Sequence, residues 1–175
     1  MTSAVRSNRT GDARPAAAGR GTRLRDRLGI TARQFEAMRA IGEMYFQQGQ
    51  FDKARKIFEG LVALDPQSGA AHAALGALYV RTFRYEEALK HLNCAIELDA
   101  RQMAAYLNRA EIRIHQQQFE SAVADLKRVM DLDPTGNSFA AGRARAMALG
   151  IRERLKTDSG TPNDTESGQA HKSAD

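Results

Sequence analysis

Any reaction chemistry in this chain would have to start from its four histidines, its single cysteine and its carboxylates. The histidines are His72, His91, His115 and His171, and no two have the His-x-x-x-His or His-Glu-x-x-His spacing that sets two imidazoles on one helix face. His91 and Cys94 could share a face as two metal ligands, but a zinc site takes three or four. Cys94 as a nucleophile would need a partner base, and the sequence nominates none. Gly19-Arg20-Gly21 lacks both the strand and the downstream Lys-Ser/Thr of a phosphate-binding loop. The carboxylates sit at repeated positions or on solvated helix faces, as Glu86 and Glu87 do. No catalytic set, metal site or cofactor is expected, so function has to lie in shape and surface.

The elements that carry this surface repeat every 34 residues. Leu64-Asp65-Pro66 returns 68 residues later as Leu132-Asp133-Pro134, and the midpoint holds Leu98-Asp99-Ala100. A fixed period of this length marks a stack of like units. Three units follow, 35–68, 69–102 and 103–136. In the first, Ile41, Gly42, Tyr45, Ala54, Phe58 and Leu61 occupy frame positions 7, 8, 11, 20, 24 and 27. Leu75, Gly76, Tyr79, Ala88, Leu92 and Ala95 hold the same positions in the second, and Arg109, Ala110, Arg113, Ala122, Leu126 and Val129 in the third. Small residues at 8 and 20 let two helices approach closely, and large apolar residues at 7, 11 and 24 are expected to fill the space beside them. Gly49-Gln50-Phe51, Phe83-Arg84-Tyr85 and Gln117-Gln118-Phe119 mark the turn within each pair. A proline at position 32 cannot continue a helix and resets the chain. Arg109 and Arg113 break the pattern: either the third unit is packed less tightly, or something acidic lies beside them.

These motifs resemble the tetratricopeptide repeat, over about 102 of the 175 residues. The resemblance implies an all-α fold, a right-handed superhelix of three helix hairpins. The folded domain is expected over 30–156. Thr31 and Gln34 read as a capping box at its start, with Ile30 and Phe35 as a hydrophobic staple. After the turn Thr135-Gly136-Asn137-Ser138, a helix over 138–156 carries Phe139, Met147, Ile151 and Leu155 at helical spacing. It is expected to cap the last hairpin, as repeat arrays require.

The flanks, 1–29 and 157–175, are too poor in apolar residues to bury anything and are expected to be disordered. The net charge of +5 belongs to the first of them: residues 1–27 hold seven arginines against two aspartates, and the rest sums to zero. The basic character therefore does not describe the folded part, and nucleic acid is not the expected partner. With Cys94 as the only cysteine no internal disulfide forms, which suits a reducing compartment. No apolar run has the length of a membrane helix, and the first residues lack the apolar core of a secretory signal. Their Arg, Ala and Ser content resembles a transit peptide, but the same composition is common in plain disordered tails. A bacterial cytoplasm is the expected location.

By the resemblance, frame positions 2, 5, 9, 12 and 13 line a concave groove. Repeat one places Glu36, Arg39, Glu43, Phe46 and Gln47 there, repeat two Ala70, Ala73, Ala77, Val80 and Arg81, and repeat three Ala104, Leu107, Glu111, Ile114 and His115. The centre is small and apolar, between Phe46 on one side and Leu107 and Ile114 on the other. Arg39, Glu43, Arg81 and Glu111 form a charged border. Family members that grip a chaperone's terminal carboxylate use Lys and Asn at positions 5 and 9; here Glu43 and Glu111 would repel it. The size, three repeats and covering helix resemble the small type III secretion chaperones, whose groove holds an extended apolar segment of a translocator protein. The expected partner is therefore a protein segment of that kind, bound without catalysis. A scaffold docking through its convex face or terminal helix is the alternative, and homodimerisation is left open.

Overall fold

The structure, a computed structural model, describes residues 23–159. Residues 1–22 and 160–175, with Gly19-Arg20-Gly21 and His171, lie outside the described residues. Among the described residues the chain forms helices and no strand: α1 (Leu24–Arg27), α2 (Ala32–Gln47), α3 (Phe51–Leu64), α4 (Gly69–Arg81), α5 (Tyr85–Leu98), α6 (Met103–His115), α7 (Phe119–Leu132) and α8 (Phe139–Ser159). The pairs α2/α3, α4/α5 and α6/α7 are the three hairpins, and α8 packs on α6 and α7.

Local chemistry sets the helix ends. Thr31 Oγ1 accepts from the Gln34 N–H at 3.2 Å while Gln34 Oε1 accepts from the Thr31 N–H at 2.9 Å, so α2 begins at Ala32, three residues before the repeat frame. Ser68 and Ser138 cap α4 and α8 by accepting from Ala71 N–H and Ala141 N–H. The aspartate of each Leu-Asp motif builds the turn between hairpins. Asp65 Oδ1 accepts from Gln67 N–H and Asp99 Oδ1 from Arg101 N–H, each two residues on. Asp133 accepts from the N–H groups of Gly136 and Ser138. With the Thr135 hydroxyl as the largest influence, these bonds hold the Asp133 carboxyl well below the usual carboxylate range. An aspartate that makes the turn explains why Ala100 can stand where the other units have proline. Within hairpins, Gly49, Phe83 and Gln117 all have φ near +60 to +70° at frame position 15, a conformation only glycine adopts freely.

The core is the line along which paired helices touch. Ala54, Ala88, Ala110, Ala122, Leu92 and Leu126 have no exposed surface. A Cβ on Gly76 would lie 2.7 Å from Leu92 Cγ, and one on Gly42 would run into the Phe58 ring. These glycines mark where α2 meets α3 and α4 meets α5.

Several expectations change at the ends of the stack. Ile41, expected in the core, is 47% exposed. Its counterpart Arg109 reaches back to Asn93 of the preceding hairpin at 2.7 Å; among the described residues α2 has no preceding hairpin to cover it. Residues 24–27, expected to be disordered, are helical, because Arg23 and Arg25 reach the buried Asp65 carboxylate at 3.3 and 3.1 Å and Arg25 lies over the Phe35 ring. The capping helix starts at Phe139 and runs past residue 156 to Ser159, so 157–159 are not part of a disordered tail. In repeat three the acidic neighbour exists: Asp125, 3% exposed, takes two bonds from Arg109 at 2.7 and 2.9 Å and one from Arg113 at 2.7 Å. Ala110, Leu126 and Val129 are fully buried beside it, so the unit is not loosely packed.

Gly76→Leu forces a side chain into a tight helix contact. Overpacking costs about 1–3 kcal/mol, and urea unfolding followed by far-UV circular dichroism should show a loss in that range. The same change at Gly60, where an added Cβ would meet nothing within 4 Å, should cost less.

Candidate peptide-binding groove

With the helix faces that carry positions 8 and 11 committed to the hairpin cores, positions 5 and 9 of α2 and positions 2, 5 and 9 of α4 are left lining one open hollow. Its volume is about 310 Å³. Of the twelve residues expected to bind, Arg39, Glu43, Phe46, Ala70, Ala73, Ala77 and Ala104 line this one hollow, with Gln47, Ala74, Phe58 and Gln102 beside them. Ala70 and Ala77 make its wall on the repeat-two side together with Ala73, which is 5% exposed and also belongs to the core, and the Phe46 ring, edge-on to Phe51, lines it too. Arg39 is held on both sides, by Glu36 at 2.7 Å and by Glu43, so the charges at the rim are already paired. The Arg39 guanidinium is pushed above its ordinary value, chiefly by the Glu36 hydrogen bond.

The other five residues separate. Val80 and Leu107, 4% and 5% exposed, are part of the core. Arg81 is exposed at the end of α4. Glu111 and Ile114 face α8 and line a second hollow with Arg143, Met147, Ile151 and Arg154. Glu111 Oε2 accepts from Arg143 Nη2 at 2.7 Å, which ties α6 to α8.

Two overlapping family models for the tetratricopeptide repeat match residues 33–101 and 73–137. The chain is a tetratricopeptide-repeat protein. Solved structures of similar fold include a type III secretion complex from Aeromonas hydrophila, at 20% identity over 78% of this chain and 92% of that one, with a TM-score of 0.68. PcrH in complex with the chaperone-binding region of PopD matches at 25% identity over 73% and 97%, with a TM-score of 0.64. The first repeat domain of Spaghetti (RPAP3), bound to an HSP90 peptide, matches at 25% identity over 72% and 96%, with a TM-score of 0.62. No curated protein sequence matches the chain. Among the described residues, no helix is long and apolar enough to cross a membrane.

The α8 side of the second hollow escapes the sequence reading, although the repeat frame runs on into α8. Ala144 lies 34 residues after Ala110 and, like it, has no exposed surface. A histidine pair escapes it too. Spacing places His91 near Cys94, but the structure brings it to His72, with the two Nδ1 atoms 3.0 Å apart and Tyr79 stacked on His91. Among the described residues no group of three metal-ligating side chains forms. The His72 Nε2 lies 3.2 Å from the Pro66 carbonyl, which can only accept, so Nε2 carries the proton and His72 Nδ1 accepts from His91. Burial, and then His72, lowers the His91 pKa, with Glu59 opposing.

A lowered folded pKa means that the stability from neutral His91 is fully present above its unfolded value, about 6.5. It is lost as pH falls through the folded value. The urea midpoint should therefore drop between pH 7.5 and 5.5, and His91→Gln, which keeps a donor but cannot charge, should show a smaller drop.

Proposed function

We propose that the chain is a non-enzymatic chaperone or adaptor that holds an extended, apolar segment of a partner protein in the hollow between α2 and α4. The observation that carries this reading is the wall of Ala70, Ala77 and Ala104, none of them buried, beside the buried Ala73, in a protein whose helix-contact faces are otherwise filled. An alanine wall leaves room for a partner's backbone and side chains, and apolar anchors in such a groove supply affinity. The rim supports the same reading. Glu43 and the Arg39 it neutralises offer no free cation for a terminal carboxylate. The fold shared with PcrH bound to a segment of PopD supports the type III secretion class and, with it, a bacterial cytoplasm.

A second reading, a scaffold that docks through its terminal helix, draws on α8, where Phe139 and Leu149 are 84% and 57% exposed. The two readings place the partner on different surfaces.

Ala77→Glu puts a carboxylate into the wall of the hollow without entering a helix contact. Partner binding measured by isothermal titration should fall at least tenfold while the helical circular dichroism is unchanged, and Leu149→Glu should leave binding intact. Binding retained by Ala77→Glu and lost by Leu149→Glu would assign the partner to α8 instead.

A further inference from the structure

The second hollow, between α6, α7 and α8, differs in chemistry from the first. It encloses about 400 Å³ over a floor of Ile114, Phe119, Met147 and Ile151. Two guanidinium groups stand at it. Arg143 is already paired with Glu111. Arg154 is exposed and lies over the Phe119 ring, 5.9 Å from its centroid, with no carboxylate within ion-pair distance among the described residues. The ring face holds the guanidinium beside the apolar floor and leaves its edge free to donate.

The two hollows thus differ in charge. At the first, Arg39 and Glu43 balance; at the second, Arg143 and Arg154 outnumber Glu111. Both are lined from α6, through Ala104 at the first and Ile114 at the second. Ten residues of helix span about 15 Å, a distance covered by roughly five residues of extended chain. One segment can therefore reach both.

We infer that the hollow under α8 takes a second anchor of the bound segment: an apolar side chain next to an Asp or Glu, whose carboxylate pairs with Arg154. This rests on the groove reading and adds to it a second site, an acidic requirement and a direction, with the acidic end of the segment toward α8. An apolar floor selects the side chain, and the unpaired guanidinium beside it selects the charge.

The test uses the full chain with ¹³C-labelled Ile and Met methyl groups and two probes of the same apolar body, 4-phenylbutyrate and 4-phenylbutylamine. The carboxylate should shift the Ile114, Met147 and Ile151 methyl resonances saturably, and the amine should bind at least fivefold more weakly. Arg154→Glu should reverse that order, and Arg154→Gln should bring the two probes level. Both changes remove the Arg154–Phe119 contact between α8 and α7, so circular dichroism checks that both variants fold. Ala77→Glu should leave the probe titration unaltered, so loss of the groove reading and loss of this one are told apart. No saturable shift at these methyls, equal binding of both probes to the unaltered chain, or a ratio indifferent to Arg154 would overturn the inference.

Discussion

The structure depends on how closely two helices of a hairpin can approach. Gly42 leaves space that Phe58 fills and Gly76 leaves space that Leu92 fills, while Ala110 and Leu126 make the same contact in repeat three. A larger residue at position 8 would push the helices apart, and the next hairpin would stack on a different surface. The close contact also decides what is left over. A helix face turned to its partner cannot line a groove, so Arg39, Glu43, Ala70 and Ala77 are left free to meet a ligand. In repeats one and two that freedom produces a hollow walled by alanine.

The slot opposite the small residue shows how one backbone tolerates different chemistry. Frame position 23 holds Ile57, His91 and Asp125 in the three repeats. Ile57 packs near Gly42, His91 stacks on Tyr79 and bonds to His72, and Asp125 joins Arg109 to Arg113. The contact is apolar, then aromatic, then ionic, with the hairpin unchanged. A buried ion pair of this kind is weak evidence for added stability, since desolvation offsets much of the attraction. What it does is satisfy two arginines that the slot at positions 7 and 11 would otherwise leave unpaired.

Much of this was legible in the sequence because side-chain volume repeats with the frame. The small residue at 8, the aromatic opening each second helix and the Thr31 capping box are local or periodic signals, and the helices begin where those signals stand. What escaped depends on pairs brought together by helix rotation. Arg25 to Asp65, His72 to His91 and Arg109 to Asp125 join residues on different helices, and no spacing along one helix announces them. Position 23 would have pointed to the last two, had its three residues been compared with positions 4, 7 and 11. The groove residues split for a similar reason: α8 lies against α6 and takes Glu111 and Ile114 into a hollow of its own. Ile41 escaped because the frame describes an interior repeat and α2 stands at an edge.

The central claim is that a partner segment lies along the alanine wall between α2 and α4. Photocrosslinking tests it most directly, with p-benzoylphenylalanine placed at Gln47, an exposed residue beside the hollow, or at Val123 on the far side of α7. The account predicts a discrete adduct from position 47 that maps by proteolysis to one short apolar segment of a partner protein, and none from position 123. Adducts from position 123 with none from position 47 would contradict it.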